Sequence, residues 1–283
     1  MDPNSIVCEA TELNRLNDIY ESKGFVVVRG VVESELLDDF RSELIQLIDA
    51  RMRSLATPTA RHDLDQAYLT LKGLDPAYSR ELIIAARETL GFYRVLTSPA
   101  LLRLVGAVLR CRGLQIVHDC CMMRIDGRDD ERQFDWHYDF AYNAMSEYAV
   151  TCWIPVTQVD PAMGCMRVVA GSHRTIHPVR LVRELEHTAF AGPRKIALHN
   201  VSAQEFERSA VELPAVSPGD VIFLHALTLH RSGANETDRA RWIVNPRFSD
   251  LYDSKVVARG WNVSRAKNPY VFQDLHPGLV SSS

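Results

Sequence analysis

His137 and Asp139 stand two residues apart in Trp136-His137-Tyr138-Asp139. On a β-strand that spacing puts both side chains on one face, so an imidazole and a carboxylate can share a divalent cation. An H-x-D pair also arises by chance, and a third ligand is needed. It is offered by Pro218-Gly219-Asp220-Val221-Ile222-Phe223-Leu224-His225-Ala226-Leu227-Thr228-Leu229-His230, a turn that launches a mostly apolar strand. His225 and His230 lie five residues apart and so on opposite faces of a regular strand; one of them can serve the site. His230 is the choice, because the chain then loops over 233–239 and returns as a strand over 241–248. If the two strands pair across that loop, His230 faces Arg241 at about 5 Å. A guanidinium presents a planar fork that fits a carboxylate, so Arg241 suits an anionic cosubstrate held beside the metal.

The elements that must carry these residues fall into two textures. Over 1–112 the signal is mostly helical. Leu13, Leu16 and Ile19 recur at helical spacing and Gly24 stops that helix, a short strand fills Gly24 to Gly30, and Ser34 caps a helix running to about Met52 with Leu36, Leu37, Phe40, Leu44, Leu47 and Ile48 on one stripe. From Leu69 to Arg110 the chain is helical again, broken at Pro76 and at Ser98-Pro99, with Ser98 as a cap. From 113 to 250 short extended runs separated by turns argue an antiparallel sandwich or barrel, with an insert near 175–210. The result is one domain, a helical layer packed on a β-barrel. The tail over 251–283, with Trp261, Tyr270, Phe272 and His276, is aromatic and expected to act as a lid or a dimer contact.

Composition narrows the function. At 283 residues, 46% hydrophobic, 24% charged and a net charge of -4, the chain buries a sizeable core and lacks the clustered cations that nucleic acid or an anionic membrane surface requires. No apolar run approaches membrane-spanning length and the first fifteen residues lack the apolar core of a signal peptide, so a cytoplasmic protein is expected. The six cysteines, Cys8, Cys111, Cys120, Cys121, Cys152 and Cys165, form no C-x-x-C pair; reduced, mostly buried thiols are expected, one reactive thiol being the alternative. Two neutral imidazoles and one carboxylate leave coordination positions open, the pattern of non-haem iron(II) oxygenases, whereas a structural zinc site is closed by four ligands.

The chain resembles the phytanoyl-CoA dioxygenase family of iron(II) and 2-oxoglutarate dependent oxygenases. The likeness runs from Gly24-Phe25-Val26-Val27-Val28-Arg29-Gly30 to about Phe248 and is carried by Trp136-His137-Tyr138-Asp139, Trp153-Ile154-Pro155-Val156, Gly164-Cys165-Met166-Arg167-Val168-Val169-Ala170-Gly171-Ser172-His173 and His230-x-Ser232 with Arg241 eleven beyond the histidine. It implies a mixed α+β fold whose core is a double-stranded β-helix (jelly roll, cupin-like) with an N-terminal helical layer. It implies iron on His137, Asp139 and His230, with 2-oxoglutarate and dioxygen as cosubstrates. Arg241, helped by Ser232, would hold the far carboxylate of 2-oxoglutarate, Arg124 or its rival Lys72 would assist, and Trp153 would face the cosubstrate. Tyr138, Tyr142 and Asn143 are the substrate-contact candidates, and His173 is expected to be structural. Related halogenases lack the Asp139 carboxylate, so its presence favours hydroxylation; desaturation, cyclisation and epimerisation stay open. A small metabolite is expected as substrate, for a monomer or homodimer. The runners-up are a metal-dependent hydrolase or isomerase and a non-catalytic binding protein on the same barrel.

Overall fold

The computed structural model describes residues 5–56, 63–111, 113–117, 122–128, 135–142, 146–187, 194–200, 206–260 and 269–282. The N-terminal part contains β1 (Val7–Glu9), α1 (Leu13–Lys23), β2 (Phe25–Arg29), α2 (Ser34–Ser54), α3 (Leu64–Leu74), α4 (Pro76–Ala86), α5 (Leu90–Leu96) and α6 (Pro99–Leu109). The stripe on α2 is buried as its spacing requires: Leu37, Phe40, Leu44 and Ile48 are shielded from solvent. Its cap differs from expectation. Glu33 occupies the N-cap without a side-chain bond, because Ser34 is already helical. Ser98 caps α6 as expected, its hydroxyl accepting from the Leu101 N–H at 3.5 Å, with Pro99 in the first turn.

Among the described residues no single helix is long and apolar enough to cross a membrane. α5 and α6 qualify only as a bent pair, and Phe92, Val95, Leu96, Leu101, Leu104 and Val105 are buried in the protein core.

The strands that follow are β3 (Leu114–Ile116), β4 (Met122–Asp126), β5 (Val150–Pro155), β6 (Met166–Val168), β7 (Val179–His187), β8 (Arg194–Asn200), β9 (Val211–Glu212), β10 (Val221–His225), β11 (His230–Ser232), β12 (Arg241–Asn245), β13 (Arg247–Asp250) and β14 (Val280–Ser282). An eight-stranded sheet runs β1-β2-β10-β5-β12-β4, with β13 joining β5 to β3. The N-terminal part is thus more than a helical layer, since it supplies β1 and β2 to this sheet. A second sheet is β11-β6-β9, and a third is formed by the β7–β8 hairpin of the insert with β14 of the tail.

Strand parity divides the large sheet. Val150, Cys152, Ile154, Phe223, Trp242, Val244 and Phe248 pack with the helices in one cluster. The alternate residues, Thr151, Trp153, Arg241, Ile243, Asn245, Arg247 and Ser249, share the other face. β12 and β13 keep one register against β5, pairing Val244 with Ile154 and Arg247 with Thr151, so this alternation runs unbroken through Pro246.

The expected hairpin between the His230 and Arg241 strands is not formed. β11 pairs with β6, whereas β12 pairs with β4 and β5. The connection carries the chain from one sheet to the other, anchored by Asn235, whose amide donates to the carbonyls of Asp126 at 3.0 Å and Arg239 at 2.7 Å. Gly24 sets the other approach to His230. It adopts φ +84, and a Cβ there would stand 2.4 Å from His173 Nδ1 and 2.6 Å from Thr228 Oγ1. Its carbonyl accepts from the His225 N–H at 2.8 Å and the Thr228 hydroxyl at 2.6 Å, which holds the turn from which His230 emerges.

Candidate metal centre

His137 and His230 face each other in an antiparallel bridge, each N–H donating to the other's carbonyl at 3.1 and 2.9 Å. Their rings lie 4.3 Å apart between centroids. Asp139 follows in a short turn of 3-10 helix, and the candidate ligand atoms of all three residues lie within 4.8 Å of one another. Each imidazole is oriented by the backbone. His137 Nδ1 contacts the Asp135 carbonyl at 2.7 Å and His230 Nδ1 the Thr228 carbonyl at 2.9 Å. A carbonyl only accepts, so each Nδ1 carries its hydrogen and each Nε2 keeps a lone pair for a metal. On Asp139 one carboxylate oxygen accepts from the Thr151 hydroxyl and the other from Arg247 Nη2 at 2.8 Å.

The electrostatics suit a cation. Burial, reinforced by the neighbouring His230, pushes the His137 imidazole down to about 3, and burial lowers His230 as well. Burial by itself would raise the Asp139 carboxyl; Arg247 and the two histidines outweigh it and hold it below the usual carboxylate range. Two neutral imidazoles and an ionised carboxylate, with no thiolate, fit iron(II). A pH dependence follows for the metal-free protein. Because His137 takes a proton only near 3 when folded but near 6.5 when unfolded, the unfolded chain binds more protons between those values. Stability therefore falls as pH drops below about 6.5, by about 1.4 kcal/mol per pH unit for one such histidine. Urea midpoints measured between pH 7.5 and 5 check this, and a flat profile contradicts it. Thr151→Val, which removes one of the two groups orienting Asp139, is expected to weaken iron affinity about tenfold in an anaerobic titration.

The remaining sequence-predicted residues fall in different places. Arg241 is 1% exposed, and Nη2 donates to Asp126 at 3.0 Å. Its Nη1 donates to the carbonyls of Met163 and Gly233, both at 3.1 Å, and of Gly164. Arg241 thus spans the two sheets, and Ser232 is not among its partners. Arg124 pairs with the same Asp126 at 2.8 Å and lies close enough to the triad to lower both His137 and His230. Burial works against the Asp126 charge, but Arg124 and Arg241 together hold its carboxyl down. Lys72, in the last turn of α3, reaches Gly127 just beyond β4. Trp153 is buried with Ile222, Ile243 and Met163 on the inward face.

Tyr142 stands edge-on to His137 at 5.7 Å, beside the candidate metal position. The expected strand over His137 and Asp139 is not formed, but Tyr138 between them is extended, with φ -132 and ψ 147, and this sends its side chain away from the two ligands. Its hydroxyl donates to the His177 carbonyl at 2.6 Å and its ring packs on Phe272 of the C-terminal helix Pro269–Leu275. Asn143, Trp261, Cys120 and Cys121 lie outside the described residues. His225 packs against His173 and Tyr20 away from the triad, and His173 contacts the Glu21 carbonyl at 3.1 Å. Cys8, Cys152 and Cys165 are buried and Cys111 is half-buried, all without a disulfide.

Three participants escaped sequence reasoning: Thr151, Arg247 and Asp126. Arg247 was within reach, since it lies six residues, an even number, beyond Arg241. Behind the ligands, Trp136 Nε1 at 2.7 Å and Arg231 Nη2 at 2.8 Å converge with Arg167 on the Glu207 carboxylate, tying the segment after the insert to the strands that carry His137 and His230.

Residues 20–243 match the family model described as phytanoyl-CoA dioxygenase. The chain belongs to the phytanoyl-CoA dioxygenase family. A probable phytanoyl-CoA dioxygenase of Caenorhabditis elegans is 21% identical over 237 residues, 82% of this chain and 73% of that one. The human peroxisomal phytanoyl-CoA dioxygenase is 22% identical over 236 residues, 81% of this chain and 66% of that one. The chain thus spans about two thirds to three quarters of the length of these relatives. In fold it resembles the epimerase SnoN, solved with Fe3+, alpha ketoglutarate and nogalamycin RO, at TM-score 0.55 and 20% identity over 84% of this chain and 83% of that one. It also resembles the carbocyclase SnoK, at TM-score 0.56 and 18% identity over 89% and 92%. The expected family stands, and with it the enzyme class.

Proposed function

We propose that this member of the phytanoyl-CoA dioxygenase family uses iron(II) and 2-oxoglutarate to hydroxylate an unactivated C–H bond of a small metabolite or natural-product intermediate. The large sheet and the β11-β6-β9 sheet would be the two halves of a jelly roll closed around the triad, in a single domain that works as a monomer or homodimer. One observation carries the reading: two imidazoles, each held through Nδ1 by a backbone carbonyl, and an ionised carboxylate converge within 4.8 Å on a buried face. Bound iron(II) supplies activation of dioxygen coupled to conversion of 2-oxoglutarate into succinate and carbon dioxide, and the oxidation of a substrate C–H bond.

The protein's part is placement and exclusion of water. Arg241 and Arg124, gathered around Asp126, form the cationic end that receives the far carboxylate of 2-oxoglutarate, with Ser232 and Trp153 bordering it. Tyr142 borders the substrate side of His137. The likeness to an epimerase and a carbocyclase supports a second reading, in which the same oxidising centre closes a ring or inverts a carbon. The acyl-CoA substrate named for the relatives is not part of this proposal.

Anaerobic titration of the metal-free protein with iron(II) and 2-oxoglutarate tests it. The expected result is a weak visible charge-transfer band, then succinate once oxygen is admitted. A folded protein that gives neither is a hydrolase, an isomerase or a binding protein instead.

A further inference from the structure

The segment Gly171-Ser172-His173-Arg174 fastens the end of α1 to the turn that carries His230. Three of its residues take up the last three carbonyls of the helix. The Gly171 N–H donates to Lys23 at 2.8 Å, His173 Nε2 to Glu21 at 3.1 Å and Arg174 Nη2 to Ser22 at 3.0 Å. A helix leaves these carbonyls without partners of its own, so the segment completes the end of α1. Gly24, the next residue, is thereby held in place, and its carbonyl accepts from the His225 N–H and the Thr228 hydroxyl.

Ser172 takes hold of the turn directly. Its hydroxyl has one hydrogen, which goes to the Val169 carbonyl at 2.7 Å, so its oxygen accepts from the Leu229 N–H at 2.9 Å. That N–H and the Thr228 carbonyl belong to the same peptide unit, which is planar. The Thr228 carbonyl is in turn the acceptor for His230 Nδ1 at 2.9 Å. Ser172 therefore sets the plane of the group that orients the imidazole. Thr228 steadies the same unit through its side chain, at 2.6 Å from the Gly24 carbonyl, and the Leu229 carbonyl accepts from the Val169 N–H at 2.9 Å. Thr228 and Leu229 are fully buried and Ser172 is nearly so, and a buried N–H or carbonyl deprived of its partner is costly.

We infer that Ser172 and Thr228 are positioning residues for His230 as a metal ligand, with the segment Gly171 to Arg174 as the frame that keeps both in place. The inference rests on the metal centre read above. Each hydroxyl acts through the peptide between Thr228 and Leu229. The bond from Nδ1 to that peptide keeps the hydrogen on Nδ1 and the lone pair on Nε2. A loosened peptide lets the ring turn and lets the hydrogen change nitrogen, and either change weakens the imidazole as a ligand. Loss of such support behind a ligating histidine weakens metal binding about 10–100-fold.

The test compares Ser172→Ala, Thr228→Val and Thr228→Ser with Thr89→Ala, which removes the cap of α5 in the helical layer. Anaerobic iron(II) titration gives the affinity, addition of 2-oxoglutarate gives the charge-transfer band, and thermal unfolding of the metal-free protein gives the Tm. Ser172→Ala and Thr228→Val are expected to weaken iron binding about tenfold and to shift the band. Thr228→Ser, which keeps the hydroxyl, is expected to retain both, and Thr89→Ala to lower the Tm with affinity and band unchanged. Wild-type affinity and band in Ser172→Ala and Thr228→Val overturn the inference, whatever their Tm. An equal loss of affinity in Thr89→Ala also overturns it, since the effect is then one of general stability, and Thr228→Ser as weak as Thr228→Val removes the role of that hydroxyl. Where Thr228→Val fails to fold, Ser172→Ala decides by the same criterion. A folded wild-type protein that binds no iron sinks the metal centre itself, and the positioning roles fall with it.

Discussion

Asp139→Ala abolishes iron binding and succinate formation and also weakens the fold. The first effect follows from the ligand count. Three protein donors converge on the site, and Asp139 contributes the only charged one, so two neutral imidazoles remain to hold a divalent cation. The second follows from Arg247. Its guanidinium is largely buried and pairs with Asp139 at 2.8 Å, and the truncation takes that carboxylate away. Breaking one side of such a buried pair costs about 3–5 kcal/mol. Asp139→Asn separates the two effects, since it keeps the shape and a hydrogen-bond acceptor while removing the charge. Anaerobic iron titration and urea unfolding of both variants provide the check. Full iron affinity in Asp139→Ala would remove the residue from the ligand set.

Arg241→Gln raises the 2-oxoglutarate concentration needed for half-maximal turnover about a hundredfold while iron still binds. A charge-assisted hydrogen bond contributes about 1.5–3 kcal/mol, and a fork of two reaches the upper part of that range. The complication is Asp126, which already takes one arm of Arg241. Arg124 also pairs with Asp126, so the carboxylate keeps a cation when Arg241 is lost, and Arg241 can share its remaining donors with a bound dicarboxylate. A stability loss accompanies the change, because the guanidinium also bridges the sheets through the Met163, Gly164 and Gly233 carbonyls. Turnover at varied 2-oxoglutarate, with iron affinity measured in the same preparation, distinguishes the two consequences. An unchanged requirement in Arg241→Gln moves the clamp to Arg124, whose field already reaches both histidines.

Much of the site was legible because strand geometry is local. The two-residue spacing suggested one face for His137 and Asp139, which the single extended residue Tyr138 provides without a full strand, and the odd spacing of His225 and His230 made them alternatives from the sequence alone. The same repeat explains why Tyr138 was a poor substrate candidate, since it lies between two ligands and faces the other way. Helix periodicity likewise marked the buried stripe of α2. The pairing of β11 with β12 was misjudged for a different reason. A short loop between two apolar runs reads as a hairpin, whereas here Asn235 fastens the loop to the Asp126 and Arg239 carbonyls and turns it into a bridge between sheets.

From the sequence by itself came the family, the enzyme class and the His137 and Asp139 pair, which depend on residue identity and short spacings, whereas the choice of His230 over His225 leaned on a hairpin with the Arg241 strand that is not formed. The tertiary structure decided which charges meet. Arg247 and Asp139 are 108 residues apart, and Arg241 and Asp126 are 115 apart. Their partners are chosen by the register of β12 on β4 and by the packing of one sheet over the other, and no local periodicity encodes either.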